Sequence, residues 1–359
     1  GLDQANVASG GLIMNPQSGE VLAYLEPLTI NGQRLNDSAY HPGSLLTPIV
    51  ALSAFSRGYS PASLIWDVPP VQATASISVQ NSGQVYYGPV NIRSAVANDY
   101  LNPLAALTNE IGALNVWHTG VTLGILSLSD APQDASPLKG GESISLFQLG
   151  TAYSIFANSG VRSGRLDAIS NEILPETVFR VNTVNGSLVY DKGAIVQATV
   201  LSQPLAYLVN SVLSDESARW PSLGYPNELE VGTTVAAKTG FADDYKQVWT
   251  VGYTPQILVL VWMGNKDISV SASKLDQRMA AGIWQALFKY ATRDQAFNGW
   301  SMPADITEMQ VCSPSGMLPS KNCFSVVKDV FLIGNEPTLP DNLYTSAKVN
   351  RETGLLATV

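Results

Sequence analysis

The 359-residue chain is 45% apolar and 14% charged, with 29 acidic against 20 basic side chains and a formal net charge of −9. Such a composition belongs to a folded protein of one large or two medium domains and argues against disorder. The negative balance argues against a nucleic-acid partner and against an anionic membrane surface, because binding phosphate needs a basic stripe.

No apolar run reaches the roughly 18 residues of a spanning helix, and the start, Gly1-Leu2-Asp3-Gln4, lacks the charged-then-apolar pattern of a targeting segment. This start reads as a domain cut from something longer. Residues 11–26 predict a hairpin, with Leu12-Ile13-Met14 and Val21 to Leu25 flanking the turn formers Asn15-Pro16-Gln17-Ser18-Gly19. Residues 44–55 carry hardly a polar side chain and predict a helix buried on all sides. Pro48 is tolerable there only in the first turn.

The middle of the chain reads as mostly helical. Residues 144–158 predict a helix stopped by Gly160, and residues 205–213 a further one. Residues 235–240, 247–254 and 257–264 predict three strands, the last two joined by Thr254-Pro255-Gln256. A helix over 274–291 follows, with Met279, Ile283 and Leu287 recurring every fourth position on one face. Beyond about residue 295 periodicity fades and turn formers accumulate. The expected fold is therefore α+β, a five-stranded antiparallel sheet packed against a helical cluster. The expected division is residues 1–294 as one domain and 295–359 as a loop-rich extension.

Cys312 and Cys323 frame a segment rich in turn formers. A loop of about ten residues is easily closed by a disulfide, which fits an oxidising compartment; the alternative is two unpaired thiols. Only His41 and His118 could add to them as metal ligands, so neither metal nor cofactor is expected. His41, in a Pro-Gly turn, reads as a surface residue and not as part of a Ser–His–Asp triad. Trp66, Trp117, Trp249, Trp262 and Trp284 lie in apolar surroundings and read as core, not as a sugar platform.

Ser44 follows Pro42-Gly43 at the start of the predicted apolar helix, where free N–H groups and the helix dipole favour negative charge on its oxygen. That suits a nucleophile; an N-cap serine is the plain alternative. Thr47 lies one turn along the same face. Asn98 and Asp99 read as possible helix caps. Lys238-Thr239-Gly240 ends an apolar strand.

Taken together, Pro42-Gly43-Ser44, Lys238-Thr239-Gly240 and the hairpin that follows it resemble the active site of penicillin-binding transpeptidases. Matches in order through Tyr86 to Asn98, Gly140 to Leu149, Ala152 to Gly160, Leu213 to Glu216 and the Cys312–Cys323 loop resemble the transpeptidase domain of the class A, bifunctional members. The resemblance implies that Ser44 is the acyl-accepting nucleophile. It also implies that Lys238 and Thr239 face Ser44 and bind the substrate carboxylate, and that the Phe241 N–H pairs with that of Ser44 as an oxyanion hole.

Two motifs depart. Where Ser-x-x-Lys puts its lysine the chain has Thr47, whose hydroxyl is no base near neutral pH; losing a general base typically costs about 10²- to 10⁴-fold in rate. Read without gaps, Ser-x-Asn falls on Asp99, Tyr100 and Leu101; a one-residue slip restores Asn102 but puts Tyr100 at the serine position. The expected substrate-binding set is therefore Thr239, Gly240, Phe241, Asp99 and Leu101, around catalytic Ser44, Lys238 and Thr47.

The resemblance implies a catalytically impaired domain in peptidoglycan assembly. It would bind a stem peptide, a cell-wall assembly protein or a β-lactam at the extracytoplasmic face of the bacterial membrane, with a glycosyltransferase domain and anchor before Gly1. The alternative is an active D,D-transpeptidase that uses Lys238 as substitute base. A β-lactamase-like hydrolase lacks an identifiable deacylating carboxylate.

Overall fold

A computed structural model describes residues 7–27, 40–69, 79–265, 274–295, 297 and 299–356. The opening Gly1 to Gln4 lies outside the described residues. The chain enters through β1 (Val7–Asn15) and β2 (Glu20–Leu25), joined by the Asn15 to Gly19 turn. Side chains of β1 alternate strictly, with Ala8, Leu12 and Met14 buried, as a strand with one face on the core demands.

A short 3₁₀ turn, Gly43–Leu46, leads into α1 (Thr47–Phe55), all nine residues of which are buried; Pro48 sits in its first turn, where no hydrogen bond is lost. The hairpin β3 (Leu64–Asp67) and β4 (Gly88–Asn91) then feeds α2 (Ile92–Ala97), α3 (Leu101–Ile111) and α4 (Ala113–Thr122). Helix α5 (Leu146–Ala157) is capped by Ser145, whose hydroxyl accepts from the Gln148 N–H. Its Gly150 lets the helix approach the sheet: a Cβ there would fall 2.5 Å from Leu12 Cδ2.

Residues 161–199, within the stretch read as mostly helical, form small antiparallel pairings: β5 (Val161–Leu166) with β6 (Ile173–Leu174), and, beyond β7 (Arg180–Asn182) paired with β8 (Leu188–Asp191), β5 with β9 (Val196–Thr199). Helices α6 (Gln203–Leu213) and α7 (Glu216–Leu223) follow, the latter capped by Asp215. The strands β10 (Ala236–Ala242), β11 (Gln247–Tyr253) and β12 (Leu258–Asn265) complete one antiparallel five-stranded sheet, in the order β10-β11-β12-β1-β2. The expected α+β architecture and sheet are thus present.

Helix α8 (Gln277–Ala291) packs on β11 and β12 through Ala280, Ala281, Trp284 and Phe288. The Met279, Ile283 and Leu287 stripe is not its buried face: Ile283 and Leu287 are exposed. Two apolar stripes run along this helix, and the one carrying the larger aromatic rings is the one that seats on the sheet, with Trp284 lying against Gly252. The sheet lies between α8 and α5, and α1 runs through the middle of the helical cluster.

The last pair, β13 (Ile306–Cys312) and β14 (Val326–Leu332), forms an antiparallel ladder closed by a disulfide between Cys312 and Cys323. Arg93 of α2 ties this ladder to the helices. Its guanidinium pairs with Asp329 on β14 and donates to the Ser211 carbonyl at the end of α6.

Candidate active site

Ser44 is fully buried in the 3₁₀ turn, at the mouth of α1. It caps nothing: residue 42 holds the cap position and no side-chain cap bond is made, so the N-cap alternative fails. Gly43 adopts φ +52°, and a Cβ there would lie 2.2 Å from the Phe241 carbonyl oxygen. A Cβ on Gly240 would meet the Leu45 backbone nitrogen at 2.9 Å. Glycine at both places lets β10 and the serine turn pack backbone against backbone. The Phe241 N–H donates to Ser44 Oγ at 2.9 Å. The expected oxyanion-hole donor is therefore bound to the nucleophile's own hydroxyl.

Lys238 and Asp99 meet at the other side of that hydroxyl. The Lys238 ammonium donates to Asp99 Oδ1 at 2.5 Å and to the Thr239 carbonyl at 2.7 Å, with 2% and 8% of the lysine and aspartate side chains exposed. Burial pushes the Asp99 carboxyl up from its ordinary value and the Lys238 ammonium down, while their mutual attraction opposes both shifts. The Ser44 hydroxyl also lies within reach of the Asp99 carboxyl and favours its charged form.

Asp99 is thus not a helix cap. It takes φ +55°, and the residue capping α3 is Tyr100, which makes no side-chain cap bond. Asn98 instead closes α2, its amide donating to the Ser94 and Ala218 carbonyls. Asp99, the first position of the gapless register, pairs with Lys238. The Asn102 amide of the slipped register is held by Asp67 and the Val68 carbonyl. Leu101 is buried in the core at the first position of α3.

Thr47 is fully buried at the first position of α1, and its Oγ1 has no hydrogen-bond partner. Thr239, Gly240 and Phe241 lie on β10, an edge strand whose seven residues are all buried. Side chains of the same domain occupy its outward edge. The Phe241 N–H goes to Ser44, the Thr239 carbonyl receives Lys238, and the Ala237 carbonyl receives Arg219 at 3.5 Å. The Phe241 ring is covered by Tyr245, stacked with centroids 4.1 Å apart.

Two contributors were not anticipated. Tyr245 ends a run of three residues with positive φ, Asp243 to Tyr245, a backbone course invisible in residue types other than the aspartates that favour it. His41 is no free surface residue: its Nδ1 lies 2.6 Å from Asp243 Oδ2, which anchors that run beside the serine turn. Among the described residues no group of three or more His, Cys, Asp or Glu side chains is arranged to hold a metal.

A buried helix opening at a serine, a Lys-Thr-Gly edge strand running against it and a sheet between two helical layers together define a penicillin-binding transpeptidase fold. Residues 10–285 match the family described as the penicillin binding protein transpeptidase domain, and the chain belongs to that family. Residues 302–346 match the penicillin-binding protein 1A C-terminal domain.

Penicillin-binding protein 1A of Vibrio cholerae is 23% identical over 96% of this chain and 46% of its own length, and that of Aquifex aeolicus 27% identical over 82% and 39%. The chain therefore spans less than half the length of these relatives. The crystal structure of penicillin-binding protein 1A from Haemophilus influenzae superposes with a TM-score of 0.80 at 17% identity, covering 94% of this chain and 55% of that one. The PonA1 protein of Mycobacterium tuberculosis in complex with penicillin V superposes at 0.69 and 20% identity, covering 84% of this chain and 82% of its own.

Proposed function

We propose that this chain is a penicillin-binding-protein transpeptidase domain with impaired acyl transfer, acting in bacterial peptidoglycan assembly by holding a stem peptide or a cell-wall assembly protein. The observation that carries this reading is the buried Lys238–Asp99 pair beside Ser44. Acyl transfer needs a group that takes the serine proton and a hole ready for the oxyanion. Thr47 offers no base, Lys238 is held as an ion-pair partner, and the Phe241 N–H already binds the Ser44 oxygen. An extended peptide adding to β10 would also have to displace Arg219, Lys238 and Ser44 from that edge.

We infer the wider setting as a domain spanning residues 1–294 with an extension over 295–359, in line with the family matches over 10–285 and 302–346, carried in a longer chain with a glycosyltransferase domain and anchor at the extracytoplasmic face of the cytoplasmic membrane. Lys238 as substitute base is the weaker alternative, because its hydrogen bonds go to Asp99 and Thr239.

The test is intact mass after incubation with a penicillin, followed by peptide mapping, on protein shown to be folded. No adduct is expected over hours, whereas the variant Thr47→Lys/Asp99→Ser/Leu101→Asn, which rebuilds both departed motifs, should acquire one on Ser44. An adduct on Ser44 of the unaltered chain would overturn the impairment and direct attention to Asp99, the carboxyl within reach of the serine, as its base.

A further inference from the structure

A cleft of about 570 Å³ opens between the β3 hairpin and the C-terminal ladder, far larger than a water site and within the roughly 300–1,000 Å³ range of small-ligand pockets. It shares no lining residue with the serine site described above. Trp66 forms one wall; the sequence placed it in the core, but 52% of it is exposed, because on the short strand β3 it falls on the face opposite buried Ile65 and Asp67. Half-buried Tyr59 supplies a further aromatic surface, buried Phe331 backs the cleft, and Asn335 and Asn342 reach it from the C-terminal segment.

Three properties of this lining select its ligand. No Asp, Glu, Lys or Arg side chain lines it, although the chain carries 49 charged residues in all (20 basic and 29 acidic). Among the described residues the Trp66 ring stacks on no other ring and its indole N–H has no acceptor. The Asn335 and Asn342 side-chain amides likewise hydrogen-bond to no described residue, each presenting a donor pair and an acceptor.

Open aromatic faces beside primary amides, with no charge, suit a ligand that has apolar C–H faces and many hydroxyl or amide groups. We propose that this cleft binds an uncharged oligosaccharide, its rings stacked on Trp66 and its polar groups read by Asn335 and Asn342. A nucleotide or phosphorylated ligand would find no cation here, and a charged peptide no counter-charge.

Binding of chitotetraose and of cellotetraose to the purified chain, followed by isothermal titration and by tryptophan fluorescence, tests this. At least one should bind saturably with Kd below about 1 mM. Trp66→Ala should weaken that binding by about tenfold or more and Asn342→Ala severalfold, while Trp220→Ala, an exposed tryptophan outside the cleft, should leave it unchanged. Both cleft side chains are exposed, so these variants should melt with the parent, and a thermal scan checks that they do.

Absence of binding by both sugars, binding insensitive to Trp66→Ala, or binding only of a proline-rich peptide overturns the proposal. Penicillin acylation is read at Ser44 on separate residues, so failure here leaves the transpeptidase reading standing, and the converse holds.

Discussion

Replacing Asp99 by Asn leaves the Lys238 ammonium buried with only neutral acceptors, the Thr239 carbonyl 2.7 Å away and the asparagine amide oxygen, in place of a carboxylate 2.5 Å away. With 2% of the lysine side chain exposed, water cannot compensate. Removing one partner from a buried pair costs about 3–5 kcal/mol, and the surviving carbonyl places this case near 3. At about 2–4 °C per kcal/mol for a domain of 150–250 residues, the melting point should fall by roughly 6–12 °C.

The variant Asp99→Asn/Lys238→Met removes both charges together and should return to within about 1 kcal/mol of the parent, since a buried pair gains little over apolar groups of similar volume. Urea unfolding with linear extrapolation reads all three, plus Lys238→Met alone. If either single variant lies within about 0.5 kcal/mol of the parent, the pair is hydrated or loosely held, and the reasoning from burial is refuted.

The same pair sets a pH signature. Burial holds the Asp99 carboxyl above its ordinary value, so the folded state keeps a proton that the unfolded chain releases, and stability falls as pH rises through that window above the usual carboxylate range. Lys238→Met removes the attraction that opposes the shift, so its stability deficit should widen as pH rises above the usual carboxylate range, whereas Asp99→Asn/Lys238→Met should show no such widening in paired thermal scans. Gly43→Ala should cost more than about 2 kcal/mol, because the left-handed backbone alone costs about 1–2 and its Cβ would fall 2.2 Å from a carbonyl oxygen. Gly186→Ala, at φ +83° with nothing within 4 Å, should cost only the backbone part; equal losses in urea unfolding would remove the close-approach argument. Thr47→Val deletes a fully buried hydroxyl that has no partner and should stabilise by about 1 kcal/mol. A loss of stability on that change would show the hydroxyl to be bonded.

The elements legible in the sequence are those in which burial leaves a periodic or compositional trace. Helix α1 was visible because nothing around it is solvent, and β10 to β12 because both faces of the sheet are covered, by α5 and α8. The pairings over 161–199 were not, because β7 and β8 expose nearly every side chain and leave no alternation. Trp66 was misplaced for a related reason: its neighbours Leu64 and Ile65 are apolar, yet on a strand the adjacent residue faces the other way. In the candidate site, residue types singled out Ser44 and Lys238, but the partner of Lys238 depended on a left-handed residue at position 99, and the closure by Tyr245 on three successive positive φ values.

The charge in the serine site balances between Lys238 and Asp99. The family pattern would gather two lysines, one after the serine and one on the edge strand, around neutral Ser and Asn side chains. This chain has one lysine, Lys238, and one carboxylate, Asp99, in a cluster that excludes water. Thr47→Lys alone would place two ammoniums beside one carboxylate, and Asp99→Ser alone would leave Lys238 unpaired; each creates an uncompensated buried charge. Both changes together would leave two buried ammoniums and no carboxylate, a larger imbalance than either change alone, so charge balance predicts that the two reversals aggravate one another. A double-mutant cycle on Thr47→Lys and Asp99→Ser should therefore return a coupling of about 1–3 kcal/mol against the double variant, its loss exceeding the sum of the two single losses. Additive losses would mean that the two positions changed independently, and that charge balance is not what keeps them as they are.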